Sequence, residues 1–275
     1  MKAASREALQ QLFAVVDETS SQSTNAVEVD SQTGLEIFEV VEAIEGDRPL
    51  RVALANNAAP SEQRVALADE VFSKHLAASA LTVVKRAVEL SWSNPRDLRV
   101  GLVAAARRII LRGAENNNQL ERVEQELFAL SRVLHREGEL SMLLSDRRVE
   151  VSKRRSLLAR LLEGKNVTMF SEALALQAVG RIEKDPASDL VALAEQAAEL
   201  RGYRIARVVS AGDLTSVQSA VLAEKLHSIY DHRMSIHNEV DANILGGVRI
   251  HVGNEVIDGS TKAKLERMRT ALAAG

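Results

Sequence analysis

Apolar residues through the first two hundred positions recur at three- and four-residue intervals. Leu67 and Val71, then Ala80, Val84 and Val88, later Leu157, Leu158, Leu161 and Leu162, and then Leu174 and Ala178 follow this rhythm. Residues three and four apart share one face of an α-helix, so the spacing predicts short amphipathic helices. Turn-forming clusters at 56–60, Asn94-Pro95, 116–118, 164–166 and Asp185-Pro186 separate them. The pattern runs twice. Glu39, Ala43, Pro49-Leu50, Leu54, Pro60-Ser61, Arg64, Leu67-Ala68, Asn94-Pro95 and Asp97-Leu98 mark one segment. Leu130, Leu134, Leu140, Leu144, Ser152, Arg155, Leu158-Ala159, Asp185-Pro186 and Asp189-Leu190 mark the other. Pro95 and Pro186 differ by 186 − 95 = 91 positions, and Ser61 and Ser152 by 152 − 61 = 91, which predicts two tandem copies of one helical bundle. Ser61 and Ser152 are placed as helix N-caps. The Ser-, Thr- and Asn-rich stretch 18–32 reads as a long loop inside the first copy.

The period changes after Gly202. Tyr203, Ile205, Arg207 and Val209 alternate with Arg204, Ala206, Val208 and Ser210, the two-residue period of a strand. A helix follows, capped by Asp213 or Thr215, with Leu214, Leu222, Leu226 and Ile229 on one stripe. Gln218 lies on that stripe and either meets a backbone group or marks its edge. Period two returns at 236–240 and again at Val248, Ile250 and Val252. Gly253-Asn254 is a two-residue hairpin signal with 255–257 as the returning strand. Gly246-Gly247 predicts a bulge or a close backbone approach that a Cβ would obstruct. Asp258-Gly259-Ser260 turns the chain into a last helix, with Ala263, Leu265, Met268 and Leu272 inward and Lys262, Lys264, Arg267 and Arg269 outward. The predicted fold is mostly α with a small α+β C-terminal module. Its parts are a first helical bundle (1–103), a second (104–201), and a mixed sheet flanked by helices (202–275).

Composition narrows the function. Glycine and proline are scarce, aromatics make up 3% of residues, and the net charge is -3 with both signs interspersed. Aliphatic cores and protein partners follow, rather than nucleic acid or anionic membrane. Zero cysteines remove disulfides, zinc-thiolate sites and thiol nucleophiles. No apolar run reaches the roughly 20 residues that span a bilayer, so a soluble cytoplasmic protein is expected, meeting the membrane through a partner. Gly164-Lys165 falls short of a phosphate loop, because Ala159 stands where the first glycine belongs and Asn166 replaces the magnesium-binding hydroxyl. His227, His232, His237 and His251 sit at spacings that suit no metal. Arg107-Arg108 and Lys153-Arg154-Arg155 read as solvated helix faces, and Asn166-Val167-Thr168 has the glycosylation triplet without a secretory route. No catalytic constellation and no cofactor are expected.

The C-terminal residues Val209-Ser210-Ala211, Leu214-Thr215, Gln218, Val240-Asp241, Ile244, Gly246-Gly247-Val248-x-Ile250, Gly253 and Val256-Ile257-Asp258-Gly259-Ser260 closely resemble the signature of the ATP synthase delta family, which includes the mitochondrial oligomycin-sensitivity-conferring subunit. Within it Asp241, Gly246, Gly247, Gly253, Asp258, Gly259 and Ser260 read as fold-defining. The resemblance implies a non-catalytic peripheral-stalk subunit. Its helical bundle would hold the amino-terminal helix of an alpha subunit in the alpha/beta catalytic head, and its C-terminal module would grip the end of subunit b. Residues 119–134 resemble the family's second bundle helix. Two departures stand out: the family usually has one bundle, and its Tyr-Ala-x-Ala-Leu-Phe opening survives only as Ala8-Leu9 with Leu12-Phe13, or as Ile109-Ile110-Leu111. By resemblance the groove is expected on the second copy, between 107–114 and 167–181, with Ile110, Leu111, Leu174, Gln177 and Arg181 exposed. The alternative is a free-standing helical adaptor that has borrowed the C-terminal module.

Overall fold

The computed structural model describes the backbone of residues 1–21 and 26–273, and the side chains of 1–20 and 31–270. The helical half contains α1 (Ala3–Ser21), α2 (Ala26–Gly46), α3 (Arg48–Leu54), α4 (Ser61–Phe72), α5 (Ala78–Glu89) and α6 (Pro95–Asn116). It continues with α7 (Leu120–Arg136), α8 (Gly138–Ser145), α9 (Val151–Leu162), α10 (Met169–Gly180) and α11 (Pro186–Leu200). The repeat is visible in these bounds: α5 and α10 begin 169 − 78 = 91 positions apart, and α6 and α11 begin 186 − 95 = 91 apart. Matching chemistry sets the starts of α6 and α11. Asn94 accepts from the Asp97 amide and Asp185 from the Ser188 amide, with Pro in the first turn where an amide would lack a partner anyway. Each copy also buries one guanidinium. Arg64 donates to the Leu90 carbonyl at 3.1 Å, and Arg154, 154 − 64 = 90 positions later, donates to the Val179 carbonyl at 2.8 Å.

One helix belongs to both copies. α6 packs against α1, α2 and α5 and also against α7 and α10, so it closes the first bundle and opens the second. Leu98, Leu102, Val103, Ala105, Ala106, Ile109, Ile110, Leu111 and Ala114 are all buried, a wide apolar arc that leaves Arg107, Arg108 and Arg112 half-buried beside it. The boundary expected at 103/104 therefore falls inside α6, and one apolar cluster runs from Ala8 to Ile205. Small residues let the helices close on it: a Cβ on Gly34 of α2 would come within 2.5 Å of Ile110 Cγ1, and Gly101 lies against the Trp92 ring.

Two expectations in this half are corrected. Ser61 and Ser152 are not N-caps; they lie in the first turns of α4 and α9, which Pro60 and Glu150 precede without a side-chain cap. The stretch 18–32 is not a long loop, since α1 runs to Ser21 and α2 begins at Ala26; only 22–25 fall outside the described residues. Polar side chains in these helices find internal partners, Thr19 Oγ1 bonding the Val15 carbonyl and Thr33 bonding Ser79, so composition was a poor guide to loop structure here.

The C-terminal module contains β1 (Tyr203–Ser210), α12 (Ser216–Tyr230), β2 (Arg233–Val240), β3 (Val248–Val252), β4 (Glu255–Asp258) and α13 (Thr261–Ala273). The sheet order is β2-β1-β3-β4, with β1 and β2 parallel and the other pairings antiparallel. Ala206, Val208, Met234, Ile250 and Val252 pack with Leu226 of α12 on one face. Tyr203 and Ile205 join the helical core on the other. Thr215 and Gln218 form a capping box, so Gln218 does meet a backbone group, accepting from the Thr215 amide at 2.9 Å. Gly247, at φ +78°, lies where a Cβ would collide with the Gly259 carbonyl, and the crossing is held by Thr261 N to Gly246 O at 2.9 Å. Two apolar stripes are corrected. Ile229 is 65% exposed, and Leu265 and Met268 of α13 are 58% and 62% exposed, because α13 makes no substantial packing contact with another described element. The side chain of Leu272 lies outside the described residues.

Replacing Gly247 with Ala is expected to destabilise the C-terminal module by about 2 kcal/mol or more, adding a backbone clash to an unfavourable φ. Gly253→Ala, with φ +56° but open space around it, is expected to cost only about 1 kcal/mol. Hydrogen exchange at the β1 and β3 amides under increasing denaturant separates the two; equal losses would show that the Gly247 crossing is not tight.

Candidate binding surfaces and the joint between them

The five residues expected to line an open groove are not an open surface. Ile110, Leu111 and Leu174 are fully buried, and Gln177 and Arg181 are half-buried. The end of α2 lies over this region: Arg155 Nη2 is 2.6 Å from Glu42, and Arg181 Nη1 is 2.6 Å from Glu45. Periodicity located the apolar stripes correctly, but it carries no information about which stripe a neighbouring bundle will cover. Three of the seven signature residues make side-chain bonds in the turns around the sheet. Asp241 accepts from the Asn243 amide, Asp258 from the Ser260 amide, and Ser260 Oγ from the Ala263 amide.

Two of the clefts among the described residues open on the helical half. One, of about 690 Å³, lies between α4 and α5, with Val15, Val65, Ala66 and Thr82 on its walls and the Lys85–Asp69 ion pair (2.6 Å) across it. The other, of about 770 Å³, lies among α1, α6 and α11. Its arginines are engaged within the protein. Arg108 and Arg112 clamp Asp17 at 2.7 and 2.9 Å, Arg108 lies 4.7 Å over the Phe13 ring, and Arg107 reaches Glu183 at 3.0 Å. Burial alone would raise the Asp17 pKa, but the hydrogen bonds from Arg108 and Arg112 outweigh it and hold the carboxyl at about 2. The reading of Arg107-Arg108 as a solvated face is corrected. So is that of Arg154 and Arg155, which donate to the Val179 and Leu176 carbonyls.

On the C-terminal module, large apolar side chains face outward: Val217, Val221 and Ile229 on α12, Leu245 before β3, and Leu265 and Met268 on α13.

Between helical half and module sits a cluster that the sequence reading did not assemble. Glu124 of α7 is fully buried and receives His237 Nε2 at 2.8 Å, the Ser235 hydroxyl, and Arg201 Nη1 at 2.5 Å. A carboxylate on the inner stripe of α7, beside Leu120, Val123 and Leu127, was the available signal. Among the described residues no group of three metal-ligating side chains comes together, and no helix is long and apolar enough to cross a membrane.

An outward cleft on a helical body, outward apolar residues on a small α+β module and a polar joint between them are the features of a protein that binds other proteins. The family described as ATP synthase delta (OSCP) subunit matches residues 110–272. Proteins called ATP synthase subunit delta match almost end to end. That of Corynebacterium urealyticum is 51% identical, covering 99% of this chain and 100% of its own. That of Corynebacterium aurimucosum is 52% identical, with the same coverage. The chain belongs to the ATP synthase delta (OSCP) family, a family of peripheral-stalk subunits. Because the relatives match across the first bundle as well, that bundle is shared with them, and the alternative of an adaptor with a borrowed C-terminal module has no support.

The Asp17 clamp carries a pH signature. Its folded pKa lies below the usual 3.8, so its contribution is present above about pH 4 and is lost as pH falls towards 2. Asp17→Asn is expected to lower the melting temperature at about pH 5 and to match the parent near pH 2. A difference that stays constant over that range would refute the clamp.

Proposed function

We propose that this chain joins the stationary catalytic head of a rotary ATP synthase to its peripheral stalk at the cytoplasmic face of the membrane, as a peripheral protein that binds without doing chemistry. Torque from the proton-driven rotor then deforms the nucleotide sites instead of turning the head. The amino-terminal helix of an alpha subunit docks on the first bundle, in the cleft between α4 and α5, and the end of subunit b lies on the exposed faces of α12 and α13. The carrying observation is the pair of separate outward apolar surfaces, Val15, Val65 and Ala66 on one and Val217, Ile229, Leu265 and Met268 on the other. Helix-in-groove recognition suits the first, because two packed helices with an apolar furrow accept a third amphipathic one. The second bundle is a poorer host, since Ile110 and Leu174 are buried and Glu42 and Glu45 of α2 pair with Arg155 and Arg181 over that region.

Tagged protein purified from its own cells should bring down the alpha, beta and b subunits; failure to do so defeats the stator reading, and ATP hydrolysis by the isolated chain above background defeats the non-catalytic one. Val65→Asp is expected to weaken capture of the head by about tenfold or more while sparing subunit b, and Leu265→Asp with Met268→Asp to do the reverse. If either variant loses both partners with its fold intact by circular dichroism, the assignment of surfaces is wrong.

A further inference from the structure

A small cleft at the joint has polar walls from both sides of it. Ser131, Arg132 and His135 of α7 and Ser188 of α11 line it from the helical body, Arg207 of β1 and Glu239 of β2 from the C-terminal module. Its volume is about 110 Å³. That is the space of roughly three or four waters, enough for one compact ion and too little for a nucleoside.

The two arginines keep donors unspent. Arg207 is half-buried, yet among the described residues its guanidinium has no hydrogen-bond or ion-pair partner. Arg132 gives Nη1 to the Asn238 carbonyl at 2.9 Å, while its Nε is out of water and bonds nothing. Buried donors are ordinarily satisfied, so an orphan of this kind calls for a ligand or an explanation. The hydroxyls are already engaged: Ser131 donates to the Phe128 carbonyl at 2.7 Å, and Ser188 is hydrogen-bonded to Asp185, whose field His135 shares. Glu239 lies on the same sheet face as Arg207, opposite Val209 where Arg207 stands opposite His237, and makes no ion pair with it. Arg132 and Arg207 against Glu239 leave one positive charge in excess. Burial lowers the pKa of His251, the antiparallel partner of Arg207, and the charges of Arg207 and Arg249 lower it further, which reports the positive field on this face.

We propose that this cleft is a binding site for hydrogen phosphate, with Arg132 and Arg207 donating to the phosphate oxygens and Glu239 accepting the hydrogen bond of its remaining proton. Guanidinium groups present planar forks of donors that suit tetrahedral oxyanions. Phosphate keeps at least one O–H at neutral pH, so a carboxylate beside the site favours it. Sulfate has no proton to offer and would set its lone pairs against those of Glu239, so the same carboxylate rejects it. Arg132 belongs to the helical body and Arg207 and Glu239 to the module, so the bound ion ties one to the other. The site is separate from both partner surfaces and does not depend on their assignment.

Thermal unfolding of the full chain tests the site at neutral pH, with ionic strength held constant by sodium chloride. Both anions stabilise proteins generally by exclusion from their surface, so the quantity read is the melting temperature in phosphate minus that in sulfate. At about 10 mM of each the difference is expected to be about 3 °C, with a dissociation constant for phosphate of about 1 mM by calorimetry. Arg207→Gln should abolish the difference and weaken phosphate binding by about tenfold or more. Glu239→Gln should keep phosphate and admit sulfate, closing the difference from the other side. Residues that merely hold the joint together would lower the melting temperature in every salt and leave the difference in place. ADP at the same concentration is expected to give no shift; a shift with ADP and none with phosphate assigns the cleft to a nucleotide and overturns the proposal. Equal effects of phosphate and sulfate on the unaltered protein mean an adventitious ion only. That result, a difference that survives Arg207→Gln, or rejection of sulfate that survives Glu239→Gln, each with the fold intact by circular dichroism, also overturns it.

Discussion

The structure depends on α6 packing against two groups of helices, α1, α2 and α5 on one hand and α7 and α10 on the other. A helix that buries Leu98, Leu102, Ile109, Ile110, Leu111 and Ala114 needs cover over a wide arc, and no single bundle supplies it; only a strip bearing Arg107, Arg108 and Arg112 faces the open cleft. That single requirement explains the close approaches that would otherwise look incidental. Gly34 gives α2 room beside Ile110, and Gly101 gives the Trp92 ring a flat seat. It also explains why the copies are fused instead of strung together: the helix that finishes the first is the one that starts the second, and no linker exists to bend.

The connection to the C-terminal module is of a different kind. Tyr203 and Ile205 carry the apolar core across the boundary, but beside them the contact is polar, organised by Glu124. Removing a charge from such a cluster leaves its former partner buried and unsatisfied, which costs far more than intact pairs of this kind usually contribute. Apolar packing holds the body as one piece, while hydrogen bonds with defined geometry set the angle at which the module stands on it.

Much of this was legible in the sequence. The 91-residue offset, the strand alternation from Tyr203, the Gly253-Asn254 hairpin and the close approach at Gly247 are consequences of local chemistry, and the fold follows them. What was not legible depends on which surfaces meet. Leu174 and Ile110 were correctly read as apolar, yet only the three-dimensional arrangement shows α2 closing over them. Leu265 and Met268 have the spacing of a packed helix but extend beyond the sheet, because spacing alone cannot supply a neighbour. His237 and Glu124 are 113 positions apart, and no local pattern pairs a strand histidine with a helix carboxylate across that distance.

The single tryptophan has a consequence of its own. Trp92 is 1% exposed, its indole nitrogen donates to the Ala87 carbonyl at 2.7 Å, and its ring covers Gly101 at the start of the shared helix. Both tyrosines, Tyr203 and Tyr230, lie in the C-terminal module or at its root. Excited at the red edge of its absorption, the molecule therefore emits from the first bundle alone, and a shift in that emission reports loosening around α6, with the module optically silent.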